Sequence, residues 1–359
     1  SVYIHIPFCK YICSYCDFCK KYIKGQPVDK YLEYLDLEIS MYLKDRIQVD
    51  TIYIGGGTPS SMSHEQIKKL MKIINKHFTF NDNYEFTFEA NPDDVSDELI
   101  KIITKSSVNR LSLGVQTLND QINHENMRMH SSDDVQNALD IASKYLTNIS
   151  IDFIFNLPKQ TLNDIKTTID FIKKNDNKLK HISYYSLILE DNTILHTREF
   201  EQMSEETESD VYEYIQTNLN QLGFNQYEIS NFGKQGYHSK HNQVYWDNEQ
   251  YYGFGLGASG YVNNIRYTNI KAMNMYFDAI DQQIHPYMDS FKLTNYDHIQ
   301  ETIMLGLRTS KGIKLSVLKG IDLNMDYFEI SNDYIRIKPN KLFISNEIIV
   351  ELLEKFDND

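Results

Sequence analysis

The sequence has little cysteine, four residues in 359, and all four fall between Cys9 and Cys19. Four thiols confined to one short stretch of a long chain exclude a disulfide scaffold, which distributes its bridges through a small secreted domain. The chain also lacks any apolar stretch approaching the ~20 residues that span a bilayer. No signal-like segment stands at its start. Positive charge is in deficit: 36 Lys and Arg against 50 Asp and Glu leave a net charge of −14. Nucleic acid and anionic membrane surfaces both call for basic patches, so neither is expected as the main partner. The expected location is the cytoplasm, where thiols stay reduced, with at most a peripheral association with a membrane. Internal repeats and low-complexity linkers are missing too, so composition marks no domain boundary. Tryptophan occurs once, at Trp246.

What is present is a dense thiol motif. Cys9, Cys13 and Cys16 follow C-x3-C-x2-C spacing, directly after the strand-like Val2–Ile6 and the turn-forming Pro7. A structural zinc site usually shows two separated pairs of ligands, or cysteines matched with histidines, and no second half is visible. A simple disulfide pair is the plain alternative. Three sulfurs this close suit one corner of an iron–sulfur cube best, because thiolates hold the irons of such clusters. Three ligands on a [4Fe–4S] cube leave one iron open to a small molecule. Cys19 reads as a nearby thiol outside the set.

The first half of the chain alternates strand-like and helix-like runs. Strands are predicted at 2–6, 51–54, 84–90, 110–115, 149–155 and 181–187. Helices are predicted at 28–46, 64–77, 97–105, 133–145 and 162–174. Six strands with helical crossovers predict an α/β fold, a parallel sheet or a partial (β/α)6 barrel, with functional residues at the carboxyl ends of the strands. Past residue 190 the rhythm breaks. Helices at 205–222, 269–282, 296–309 and 346–356, with strands at 224–229, 334–337 and 342–344, predict a smaller C-terminal α/β domain of winged-helix-like make-up. The division is drawn at 1–200 and 201–359.

Several strand-end residues have the chemistry of a binding site. Gly55-Gly56-Gly57-Thr58-Pro59 follows a strand. Glycines let a ligand approach the backbone and free N–H groups to hold polar groups; an ordinary tight loop is the alternative. Glu89 offers a carboxylate to ribose hydroxyls or an ammonium group, unless it is a solvated strand-end acid. Gln116 and Asp152 sit at further strand ends, and Arg128 suits bidentate pairing with a carboxylate. Downstream, His241-Asn-Gln-Val-Tyr245-Trp246 combines an imidazole with two large aromatics. A neutral imidazole is a common axial ligand of heme iron, and aromatic faces cover porphyrins. A packed aromatic turn around a hydrogen-bonded histidine is the plain reading. His238 lies nearby as a competitor.

The cysteine spacing, with Tyr3-Ile-His-Ile-Pro-Phe-Cys9 around its start, resembles the radical S-adenosylmethionine (SAM) superfamily. Within it, the sequence is similar to the branch of oxygen-independent coproporphyrinogen III dehydrogenases and related heme chaperones. The resemblance implies a partial six-unit barrel and a [4Fe–4S] cluster on Cys9, Cys13 and Cys16, with SAM on the fourth iron. In that superfamily a reduced cluster cleaves SAM to a 5′-deoxyadenosyl radical. It further implies that Tyr3, Tyr15, Gly56, Gly57, Thr58 and Glu89 belong to the cofactor site. Gln116, Arg128 and Asp152 match positions that help hold a second SAM in the dehydrogenases. Those enzymes carry a fourth cysteine two residues after the third, where this chain has Phe18; Cys19 comes one place late. They also carry an extension ahead of the first strand. His241, Tyr245 and Trp246 match an H-N-x-x-Y-W element of the heme chaperones. Residues 253–260 match their G-x-G-A-x-S run, except that Ser259 comes one position early. The resemblance therefore implies a chaperone that binds heme through His241, Tyr245 and Trp246. It would pass the heme to an acceptor, a membrane-associated respiratory protein, and draw on an electron donor for the cluster. The alternative is a dehydrogenase that takes a porphyrinogen and makes protoporphyrinogen IX by oxidative decarboxylation. No residue is assigned a catalytic role.

Overall fold

Apart from Val28–Tyr42, which follows Pro27, each helix of the first half begins where a short polar side chain satisfies free backbone N–H groups. Ser63 with Gln66, Ser131 with Asp134 and Thr161 with Asp164 form reciprocal capping boxes at the starts of His64–His77, Ser132–Ala142 and Leu162–Lys174. Apolar residues at helical spacing, such as Ile67, Leu70, Met71 and Ile74, give each helix one buried face. That face lies on a sheet. In the computed structural model, which describes all residues except Glu199, Glu201 and Asp359, six parallel strands pair in chain order. They are β1 (Val2–Ile6), β2 (Ile47–Gly56), β3 (Phe78–Ala90), β4 (Arg110–Gln116), β5 (Asn148–Phe155) and β6 (His181–Ser186).

Strand alternation sorts the side chains between two faces. Ile52, Ile54, Phe86, Phe88, Leu111, Leu113, Ile149 and Ile151 are fully buried in the apolar core. The alternate residues share the other, inner face and are polar. Tyr53 reaches Glu89, Thr87 reaches Arg110, and Ser112 reaches Asp152. The interior of the barrel is therefore lined by hydrogen-bonding groups from neighbouring strands.

The chain then closes this partial barrel from outside its first half. Asn231–Gly233 pairs antiparallel with β6, and Asn225–Gln226 pairs with that strand. Tyr252–Phe254 pairs parallel with β1 at the opposite edge. Between them runs the seven-residue helix Lys240–Trp246. Its first residues meet Glu85 and Thr51, which lie in register on the inner face, one inward step before Thr87 and Tyr53. The helix thus forms a floor beneath the interior.

The apolar core over residues 2–280 is one cluster, and it includes Phe232, Phe254, Tyr276 and Ile280. A division at residue 200 would cut through it. A second core, over residues 303–352, belongs to the helices Asn295–Gly306 and Ser345–Asn358 and the small antiparallel sheet of Ile313–Lys314, Tyr334–Ile337 and Phe328–Ser331. This is the smaller C-terminal α/β module, and it starts roughly a hundred residues later than the sequence suggested. Local corrections follow the same logic. The strand predicted at 342–344 belongs to the 3-10 helix Pro339–Ile344, because Pro339 opens it with a fixed φ and no N–H for a ladder. The helix predicted at 269–282 begins only at Met273. Asn269 instead ends a strand, Ile265–Asn269, flanked by Ser259–Val262 and Tyr287–Lys292. Of the strand predicted at 224–229, only Asn225–Gln226 forms. No helix among the described residues is long and apolar enough to cross a membrane.

Candidate cofactor site

At the carboxyl ends of the barrel strands lies a cavity of about 340 Å³. Cys9, Cys13, Cys16, Tyr15, Gly56, Gly57, Thr58, Glu89, Gln116, Arg128 and Asp152 all line it. Residues distant in sequence converge here because each strand delivers its last inward side chain to the same end.

The cysteine loop is held open by backbone pairing rather than by disulfides; all four thiols are free. Phe8–Cys9 pairs in parallel with Lys21–Tyr22, which returns the end of the loop to its start. Ser14 anchors the middle through its N–H to Asn126 O at 3.2 Å and its hydroxyl to Asn126 Oδ1 at 2.7 Å. Thr58 Oγ1 lies 3.6 Å from Cys9 Sγ, and an Arg128 N–H donates to Cys13 Sγ at 3.3 Å. Burial pushes the Cys9 thiol up to about 12 and the Cys16 thiol up to about 11. A metal reverses that preference, because a coordinating thiol loses its proton outright.

The donor set fits an iron–sulfur cluster. Among the described residues, no three His, Cys, Asp or Glu side chains are grouped to hold a single metal ion. A cube makes no such demand, since each thiolate takes a different iron. Gly57 makes room beside the thiols: a Cβ there would lie 2.9 Å from Cys9 Sγ and 2.8 Å from the Pro7 carbonyl carbon. At Gly56, φ is +114° and a Cβ would lie 2.5 Å from the His5 ring, so the position demands glycine twice over.

The remaining wall is polar and aimed by local backbone devices. Glu89 accepts from Tyr53 OH at 2.5 Å and from Gly56 N at 3.2 Å. Burial, with Asp152 nearby, still raises its carboxyl to about 7. Asp152 accepts from Ser112 Oγ at 3.1 Å, and burial raises it as well. A register shift between Gly114 and Gln116 ends β4, and Gln116 adopts φ +69°, a left-handed backbone that leaves its side chain at the cavity. Arg128 is 8% exposed. Its terminal nitrogens also serve Tyr15 OH, Asn91 Oδ1 and Gly114 O, while its Nε has no partner.

Two residues that sequence reasoning did not assign support this wall. Tyr53 was legible only through strand alternation, one inward step before the glycine run. His5 lies on β1, just ahead of the cysteine motif; its Nε2 meets Cys19 O at 2.7 Å and its Nδ1 meets Tyr3 OH at 3.0 Å. Tyr3 thus acts beneath the cavity, through His5, and does not line it.

His241, Tyr245 and Trp246 stand apart from the cavity. His241 is 1% exposed. Its Nδ1 shares a hydrogen bond with Thr51 Oγ1 and its Nε2 with Tyr245 OH, each at 2.7 Å. Its ring packs 5.2 Å from that of Tyr53. Burial lowers its pKa to about 3, so it is neutral. Ser239 Oγ, Lys240 N and His241 N all donate to the Glu85 carboxylate at 3.0–3.2 Å, seating the helix on the barrel floor. With both ring nitrogens engaged, this histidine offers no lone pair to an iron in this geometry, contrary to the expectation from its motif. Trp246 is partly exposed at the far end of the helix.

Residues 3–172 match the model of the radical SAM superfamily. The heme chaperone HemW of Bacillus subtilis (strain 168) is 43% identical over 321 residues, covering 87% of this chain and 84% of that protein. The heme chaperone HemW of Lactococcus lactis is 43% identical over 318 residues, covering 87% and 82%. Among solved structures, coproporphyrinogen III oxidase (HemN) from Escherichia coli, a radical SAM enzyme, shares the fold with a TM-score of 0.84. That match covers 99% of this chain and 90% of that one at 21% identity. The chain belongs to the HemW family of the radical SAM superfamily. Its family implies a [4Fe–4S] cluster and SAM as cofactors.

Proposed function

We propose that this protein is a heme chaperone: it takes up heme and delivers it to an acceptor protein, on a scaffold that also holds a [4Fe–4S] cluster and SAM. The observation that carries this reading is the 43% identity to heme chaperones along 321 residues, a length that extends well beyond the barrel segment 3–172. Cys9, Cys13 and Cys16 hold the cluster. Tyr15, Gly56, Gly57, Thr58 and Glu89 form the SAM wall. Glu89 accepts from ribose hydroxyls or an ammonium group, and the backbone around Gly56 admits the amino-acid end. Gln116, Arg128 and Asp152 complete the opposite side, with Arg128 Nε as a donor for a carboxylate. When bound, the cluster and SAM supply one-electron chemistry.

The acceptor is a membrane-associated respiratory protein, met from the cytoplasmic side, and an electron donor reduces the cluster. Porphyrinogen decarboxylation is not favoured. Phe18, 64% exposed at the cavity, occupies the position where the dehydrogenases carry a fourth cysteine.

The test uses the anaerobically reconstituted protein. Titration with hemin followed by Soret absorbance should reach a stoichiometric end point. Incubation with coproporphyrinogen III, SAM and a reductant should give no decarboxylated porphyrin. Clear turnover in the second assay, without heme binding in the first, would replace the chaperone with the enzyme.

A further inference from the structure

Large apolar side chains are exposed around the mouth of the cofactor cavity. Phe18, Ile188 and Met129 are 64%, 72% and 52% exposed, and Tyr11 and Tyr185 are each 39% exposed; all five line this cavity. They come from three separate stretches: the cysteine loop, the turn after the short helix Asp120–Glu125, and the end of β6. Apolar groups gathered from distant segments onto one exposed rim mark a binding surface. The inner wall, by contrast, carries Glu89, Arg128 and Asp152. Lys20 adds a cation to the lining beside Phe18. The cavity is therefore polar at depth and apolar at its entrance, with Lys20, whose ammonium donates to Cys16 O, at the boundary and Asp17 and Asp93 also in the lining. Every lining residue lies within 9–188, so the described part of the C-terminal module leaves the entrance uncovered.

The histidine end of the barrel has the opposite character. Reaching His241 with a macrocycle requires breaking its two ring hydrogen bonds and unseating a helix whose start makes three more to Glu85. Both ends lie on one barrel: the cavity opens at the mouth, whereas His241 is buried at the other end.

We infer that the heme of the chaperone reading is held at this rim, not at His241. The rim has the two chemistries that a flat ring with apolar faces and two carboxylates requires. Phe18, Ile188 and Met129 cover the porphyrin, and Lys20 meets a propionate. The occupant of the inner cavity then forms the floor under the heme. A chaperone thereby gains a reason to keep the SAM wall intact: SAM completes the surface on which its cargo rests.

This inference rests on the chaperone reading, and the experiment separates the two. Hemin is titrated into the cluster-reconstituted full chain, into Phe18→Glu/Ile188→Glu and into His241→Gln, with and without SAM. The rim variant should bind hemin about tenfold more weakly or worse, as loss of central apolar contacts does, while retaining cluster absorbance and SAM affinity. His241→Gln, with folding checked by its melting curve, should keep hemin affinity within about twofold, and SAM should tighten hemin binding to the wild type. Ile188→Glu alone, remote from the cysteine loop, decides the matter if the double variant loses its cluster. Wild-type hemin affinity in the rim variants, or loss of hemin by a folded His241→Gln, overturns the rim site. Absence of hemin binding by the wild type overturns the chaperone reading itself.

Discussion

Replacing His241 by alanine should destabilise the whole barrel, because the side chain is a joint and not a free ligand. The loss has three parts. The hydrogen bonds to Thr51 Oγ1 and Tyr245 OH vanish, each worth about 1 kcal/mol net. Thr51 is 2% exposed, so its hydroxyl is left without water to replace the ring. The emptied volume beside Tyr53 adds about 1 kcal/mol. The two bonds and the cavity sum to about 3 kcal/mol, and the stranded Thr51 hydroxyl adds to that, a large share of the stability of an ordinary domain. A seven-residue helix has no independent stability, so hydrogen exchange should show Lys240–Trp246 opening first. Urea unfolding monitored by circular dichroism measures the total. The pH dependence gives a second readout. Burial lowers the pKa of folded His241 to about 3, below the ordinary imidazole value of 6.5. Between those values the unfolded chain binds more protons, so the contribution of His241 is complete above pH 6.5 and fades as pH falls toward 3. The variant should therefore show a shallower acid limb. A variant with unchanged urea stability and an unchanged acid limb, but without hemin binding, would refute the joint and restore the ligand.

Four further outcomes follow from the geometry. Alanine at Cys9, Cys13 or Cys16 should abolish cluster absorbance after reconstitution, whereas Cys19→Ala, whose thiol lies outside the cavity lining, should retain it. Gly57→Ala places a Cβ 2.9 Å from Cys9 Sγ and should prevent cluster assembly while leaving the far-ultraviolet spectrum intact. Arg128→Gln removes a buried charge and an N–H donor beside Cys13, so the midpoint potential of the reconstituted cluster should become more negative in a redox titration. Glu38 accepts from Gly255 N, Asn269 Nδ2 and Tyr276 OH, yet burial raises its carboxyl to about 7 from 4.5. Here the folded chain holds the proton longer, so stability falls as pH rises from 4.5 to 7. Glu38→Gln should flatten that part of the pH–stability curve.

The cavity wall was legible because it obeys local rules. A glycine run after a strand, an acid at a strand end and a cysteine triplet are adjacent to recognisable elements, and a barrel brings strand ends together whatever their sequence separation. What escaped was non-local. Nothing in the composition of residues 252–254 announces a parallel partner at residues 2–4, so the core was divided too early. The ring of His241 carries the right atoms for iron, but its sequence does not say which end of the barrel it faces or that Thr51 and Tyr245 occupy its nitrogens. Pro339 was the visible warning against a strand at 342–344. Tyr53 and His5 were missed because each acts through another residue, Glu89 in one case and the Cys19 carbonyl in the other.

The strap formed by residues 225–254 also sets an order of events during synthesis. β1 is made before the other five barrel strands, yet its outer edge acquires a partner only when Tyr252–Phe254 emerges. Until then a nascent barrel carries two unpaired edges, at β1 and at β6, and an open floor under charged groups such as Glu85 and Arg110. Unpaired strand edges recruit other chains. A ribosome that stalls near residue 200 would release a sticky half-product, so loading with cofactor belongs after residue 254 has left the exit tunnel.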